Sequence, residues 1–235
     1  MQGGYFSYAL LVALATALLV AAFTDIKRRE IDNWLNAAIA LAAPLWWLAT
    51  GYGWLDVAFQ LGLALLTLFI TALLFALRQM GGGDVKLLTA LALWFTPPSF
   101  IQLIVMMAVI GGGASVAMAF LNMKRIPGEY MRDALAGVVA IAWVAFAAIL
   151  AFALVTRRPI GSGAVAAIGS ASPQPWMLAL GVIALLAVCA VSFRHILRRQ
   201  RARLPIPYGV AISLSGLWVL SEQVLPAALL GAAQG

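Results

Sequence analysis

Met80-Gly81-Gly82-Gly83-Asp84-Val85-Lys86-Leu87-Leu88-Thr89-Ala90-Leu91-Ala92-Leu93-Trp94-Phe95-Thr96-Pro97-Pro98 is the stretch on which the architecture turns. Its apolar part, Val85–Phe95, opens after three glycines and an acid and stops at two prolines. As a helix it would reach only about 17 Å at 1.5 Å per residue, short of the roughly 30 Å of hydrocarbon in a bilayer. The apolar runs on either side are long enough. Tyr5–Phe23, Trp34–Thr50 and Leu55–Leu77 precede it; Ser99–Leu121, Ala134–Val155, Pro175–Phe193 and Ile206–Leu225 follow. The pattern predicts an all-α, polytopic transmembrane helix bundle of about eight membrane segments, the short fourth either spanning or re-entering.

Composition agrees with that reading. Of the 235 residues 64% are apolar and 10% charged, with a mean hydropathy of +1.01. A soluble domain carries about 25% charged residues, and a disordered chain is far less apolar. The net charge is +7. A nucleic-acid partner is not expected from it, because the bases fall in short clusters between apolar runs, as loops facing the cytoplasm do. Lys27, Arg28 and Arg29 follow the first segment, Arg78 and Lys86 the third, and Lys124, Arg125 and Arg132 the fifth. Arg194, Arg198, Arg199, Arg201 and Arg203 follow the seventh, so alternate loops keep only Arg157 and Arg158. The positive-inside rule then places these clusters in the cytoplasm and both termini outside, provided the fourth and fifth segments together cross twice or return.

The rest of the chain adds little chemistry. No base precedes Asp25, so the first apolar run reads as a membrane span rather than a cleavable signal. Residues 1–235 read as one integral-membrane domain without a soluble domain, and 156–174 as an external loop rich in small residues. Gly111-Gly112-Gly113 inside the fifth segment suits close helix packing or a bend. Cys189 and His195 are each the single residue of their type, so neither a CxxC site nor a histidine metal site is expected. Trp34, Trp46, Trp47 and Trp54 lie near segment ends, where an interfacial aromatic belt would sit.

Ionisable groups at membrane depth are costly, and they mark function by default. Asp25 directly follows the first apolar run and Asp84 opens the fourth, which places both at the cytoplasmic face. Two carboxylates meeting there can share one proton, one activating water as base while the other polarises a carbonyl as acid. Gly81, Gly82 and Gly83 leave the backbone bare for an extended peptide to approach. Lys86 is placed to tune the pair or to hold an acidic group of a substrate. The structural readings are plainer: Asp25 paired with Arg28 or Arg29, Asp84 capping the short helix, Lys86 reaching the interface.

Three stretches together carry a resemblance. Gly81-Gly82-Gly83-Asp84-Val85-Lys86-Leu87-Leu88 resembles the GxGD-x-K-L-L signature of the type IV prepilin peptidases, which are intramembrane-type aspartyl proteases. Asp25, with Lys27, Arg29, Ile31 and Asn33, resembles that family's first-aspartate motif, with Asp32 where the family has proline. Leu204-Pro205-Ile206-Pro207-Tyr208-Gly209-Val210-Ala211-Ile212 is similar to its third signature, a turn entering the last helix. The chain lacks the large zinc-binding insert of the long members and looks like the short Tad/Flp-pilus ones.

The resemblance implies an inner-membrane endopeptidase that removes the basic leader from a prepilin or pseudopilin at the cytoplasmic face. Asp25 and Asp84 would be its catalytic residues, with Gly81, Gly82, Gly83 and Lys86 beside the substrate. The substrate's apolar helix would dock from within the lipid bilayer, and no metal or organic cofactor would be needed. Without the insert, leader cleavage is expected alone, with no methylation of the new N-terminus. Two other classes compete: a small proton- or ion-coupled transporter using the two acids, and a non-catalytic assembly factor. A transporter would spread its acids across the membrane depth, and an assembly factor would tolerate their loss.

Overall fold

Each apolar run becomes a helix in the computed structural model, whose described residues are 4–157, 175–201 and 208–232. The elements are α1 (Tyr5–Arg28), α2 (Asn33–Thr50), α3 (Trp54–Ala76), α4 (Gly82–Ala92), α5 (Pro97–Leu121), α6 (Tyr130–Thr156), α7 (Pro175–Arg198) and α8 (Tyr208–Ala232). Among the described residues there is no strand, and Met123 and Gln200 form an isolated antiparallel bridge. Five helices are long and apolar enough to cross a membrane: α1, α3, α5, α6 and the Ala179–Arg198 part of α7. The fold is an all-α polytopic bundle.

Helix ends differ from the apolar runs in two places that matter. α1 continues past Phe23 to Arg28, so Asp25 lies inside the helix rather than after it. An apolar run marks the depth of lipid, whereas helix bonding continues until a residue leaves helical geometry. Here that residue is Arg29, in the left-handed region at φ 58°, whose N–H bonds back to the Asp25 carbonyl. α4 starts earlier and stops earlier than its apolar run, taking in Gly82, Gly83 and Asp84 and ending at Ala92. Leu204–Pro207 of the third signature and most of the predicted external loop lie outside the described residues.

The chain forms two compact units. The first comprises the described residues of 1–108 together with those after 207. In it α1 packs on α2 and α8, while α4 lies against α2, α3 and α8. Most of α4 is enclosed: Leu87, Leu88, Leu91 and Ala92 are fully buried, while Lys86 is exposed. An eleven-residue helix ending inside such a core leaves carbonyl groups that need donors. Gln60 Nε2 of α3 donates to the Ala92 carbonyl at 2.8 Å and also to that of Phe95, and Trp47 Nε1 donates to Leu93 at 2.8 Å. Trp94 Nε1 reaches the Ile39 carbonyl at 2.8 Å, beside the backbone gap that Pro44 makes in α2.

These bonds correct the reading of the tryptophans. Trp46, Trp47 and Trp94 are core residues, with Trp46 and Trp94 stacked at 6.0 Å between ring centroids. Trp34 and Trp54 are exposed. The second unit comprises the described residues of 109–206, in which α6 packs on α7 around Met123, Ala136, Ala140 and Ile196. Gly113 has its packing role there, since a Cβ at that position would lie 3.1 Å from the Ala147 Cβ of α6.

Candidate active site

Both acids singled out by sequence are buried in the first unit. Asp25 is 6% exposed and Asp84 8%, values seldom met by a carboxylate without a specific partner. They act on each other: the Asp25 charge is felt at Asp84. Sequence separation is bridged because α1 and α4 both pack on α8, and because Ile31, in the α1–α2 turn, fills the space between the motifs. A Cβ on Gly83 would come 3.3 Å from Ile31 Cβ, and one on Gly209 would come 2.7 Å from Ile31 Cδ1.

Asp84 is the third residue of α4, and its carboxylate turns back to the Gly81 N–H ahead of the helix. It therefore caps the helix from the first turn, with Gly81, not Asp84, at the N-cap position. α4 is not among the candidate spans. Burial, with the Asp25 charge adding to it, pushes the Asp84 carboxyl up to about 7. Asp84 thus keeps a substantial protonated fraction near neutral pH. Asp25 has a different neighbourhood: its Oδ2 accepts the Val210 N–H at 3.1 Å, from the first turn of α8.

Gly81 is exposed and Gly82 and Gly83 are half-buried, and each has a neighbour where a side chain would begin. A Cβ at Gly81 would lie 3.0 Å from Asp84 Oδ2, one at Gly82 would lie 3.5 Å from the Phe75 ring, and Gly83 is set against Ile31. Their bareness lets the turn close. Asn36, buried on α2, donates from Nδ2 to the Gly83 carbonyl at 3.5 Å and holds the same turn. Lys86 Nζ donates to Asn33 Oδ1 at 2.7 Å, tying α4 to the start of α2. Arg28 pairs with Asp32 at 2.9 Å, which leaves Asp25 to the α8 amide rather than to that guanidinium.

A second polar cluster lies wholly within the second unit. His195 Nε2 is 2.7 Å from Asp133 Oδ1, and Arg199 Nη2 is 2.7 Å from Glu129 Oε2, joining the ends of α6 and α7. His195 therefore serves as a hydrogen-bond partner of Asp133 there. Among the described residues, no group of three His, Cys, Asp or Glu side chains is arranged to hold a metal.

Ile31, Asn36, Gly209 and Val210 are the site residues for which sequence reasoning assigned no role. Their one visible signal was membership, for all but Asn36, in stretches that resemble known motifs.

A buried aspartate pair, one member behind a glycine turn, is the arrangement a comparison with known families can test. Residues 12–116 match the model of the type IV leader peptidase family. Over that stretch the chain is similar to type IV leader peptidases. The match covers under half of the 235 residues but includes both aspartates, the glycine turn and Lys86. No curated protein and no solved structure matches the chain. With five helices long and apolar enough to cross a membrane among its described residues, the chain is a multi-pass membrane protein whose two buried acids lie inside the stretch similar to leader peptidases.

Proposed function

We propose that this chain is an aspartyl endopeptidase that removes the basic leader of a type IV or Flp-type prepilin, or of a pseudopilin, at the cytoplasmic face of the inner membrane. The observation that carries the reading is the pairing of Asp25 with Asp84, two buried carboxylates in electrostatic contact within the leader peptidase segment. A peptide bond needs a base to take a proton from water and an acid to polarise its carbonyl. Asp84, whose carboxyl is raised to about 7, supplies the acid in its protonated form, and Asp25 the base. Water is deprotonated by the Asp25 carboxylate as it attacks the carbonyl carbon. The Asp84 proton passes to the carbonyl oxygen. The proton that Asp25 took from water then goes to the leaving nitrogen as the C–N bond breaks, and a hydroxyl of the tetrahedral centre returns its proton to Asp84 as the new carboxyl forms.

The alternation of basic clusters supports a cytoplasmic side for the two acids, where a basic leader would lie while the apolar helix of the substrate stays in the bilayer. Gly81, Gly82 and Gly83, with Lys86 beside them, form the turn next to which the scissile segment would pass. The experiment is co-expression with pre-pilins from the same genome, scored by the mobility shift of leader loss. Cleavage by the wild-type chain, absent from Asp25→Asn and Asp84→Asn, supports the reading. No shift with any pre-pilin would count against it.

A further inference from the structure

The first turn of α8 meets Asp25 at a residue with no side chain. Asp25 Oδ2 accepts the Val210 N–H at 3.1 Å, and the Gly209 N–H also bonds to that carboxylate. Amides in the first turn of a helix have no carbonyl of their own to reach, so they are free to hold an anion. Gly209 is buried. A Cβ there would stand 2.8 Å from Asp25 Oδ2, 3.0 Å from Asp25 Cγ and 2.7 Å from Ile31 Cδ1. All three distances are far inside van der Waals contact. An amide contact at 3.1 Å and a side chain at position 209 therefore exclude each other.

We propose that Gly209 is a positioning residue for the aspartate pair: its bare Cα lets α8 hold one carboxylate oxygen of Asp25 and leave the other to take the proton from water. The inference rests on the endopeptidase reading above. It also gives a local reason for a glycine where the last helix begins. Without the α8 amides, the Asp25 carboxylate would turn about its χ angles, and the water it activates would lose its line to the carbonyl carbon. Near-attack geometry is sensitive to displacements of about 1 Å, which cost on the order of 100-fold in rate.

Two contacts at Gly209 can be separated. Ile31→Val removes the Cδ1 atom that an added Cβ would strike and leaves the Asp25 clash in place. Val210→Pro removes the amide donor while keeping Gly209. Proline is tolerated in a first helical turn, where its missing N–H breaks no intrahelical bond. The test measures kcat, KM and thermal stability for pre-pilin cleavage in proteoliposomes. It compares wild type, Gly209→Ala, Ile31→Val, the Gly209→Ala/Ile31→Val double variant and Val210→Pro.

Gly209→Ala is expected to lose on the order of 100-fold in kcat with KM within about twofold. The double variant should recover the stability of Ile31→Val without recovering its kcat. Val210→Pro should lower kcat about tenfold at unchanged KM, and it stands as an independent arm if Gly209→Ala fails to fold. A double variant with the kcat of Ile31→Val, or Val210→Pro with wild-type kcat, would show that Gly209 only packs and would overturn the proposal. Absence of cleavage by the wild type is a different result, which brings down the endopeptidase reading together with the proposal that depends on it.

Discussion

At the scale of single residues, the two aspartates differ in what surrounds them, and that difference makes a pair useful. Asp25→Asn and Asp84→Asn each keep size and hydrogen bonding but remove ionisation, so each should abolish leader cleavage while the protein still inserts. Asp32→Asn should keep most activity, because Asp32 is engaged with Arg28 on the surface. Asp56→Asn should be silent, since its carboxylate caps the Gly53 N–H at the start of α3 and the amide oxygen can do the same. The pH dependence follows from Asp84, raised to about 7. As the acid it must be protonated, so kcat/KM should fall as pH rises through about 7. Stability has a matching sign: a carboxyl raised by folding favours the native state below its unfolded value near 3.8 and loses that contribution as pH climbs to about 7. Asp84→Asn, which cannot ionise, should therefore melt higher than wild type at pH 8, and the gap should close toward pH 4. Each kcal/mol recovered is worth roughly 2–4 °C in Tm for a chain of this size. Equal melting temperatures at pH 8 would mean that Asp84 is not under strain when charged.

At the scale of elements, α4 shows what patterning reveals and where it stops. Its shortness was legible from Val85–Phe95 bounded by glycines and prolines, and so was the acid at its start. The way it ends was not legible. Carbonyls of Ala92, Leu93 and Phe95 are met by Gln60 and Trp47, residues 32 to 46 positions away, and no local signal names such partners. For the same reason Trp47 reads as interfacial: position near a segment end is visible in sequence, whereas its acceptor at Leu93 is not. Asp25 and Asp84 could be placed on one face from the alternation of basic clusters. The Val210 donor, 185 residues from Asp25, could be seen only through a motif resemblance without a stated role. Gln60→Leu tests the α4 cap. It leaves two buried carbonyls without a donor, at a cost of about 1–3 kcal/mol each, so Tm should drop by several degrees and cleavage should fall with it. An unchanged Tm would show that other groups satisfy those carbonyls.

At the scale of the whole molecule, charge placement and the match to leader peptidases bear on different parts of the chain. The leader peptidase match ends at residue 116, inside α5, whereas the third signature and the Gly209 contact lie at the other end of the sequence. The first unit gathers both, because α8 returns to pack on α1 and α4. Under the proposed leader cleavage, the acids must lie on the side where the basic leader waits, so the orientation of this unit bears directly on that proposal. Thirteen of the 15 bases follow the first, third, fifth and seventh segments or flank Asp84. Each retained base near an anionic leaflet is worth about 1 kcal/mol, and the sum sets the orientation. Reporter fusions after Arg78 and after Arg125 should report cytoplasm, and a fusion at Gly51, between α2 and α3, should report the exterior. The pair at Arg78 and Arg125 decides the status of α4: both are cytoplasmic only if α4 and α5 cross in opposite senses or α4 dips and returns with α5. A reporter after Arg125 on the exterior would leave α5 as a lone crossing from the side of Arg78. The count of segments would then be odd after α3, and the arginines of the α7 end would face outward against the charge rule. Such an outcome would leave the Asp25 and Asp84 side of the protein fixed by Arg28, Arg29 and Arg78 alone.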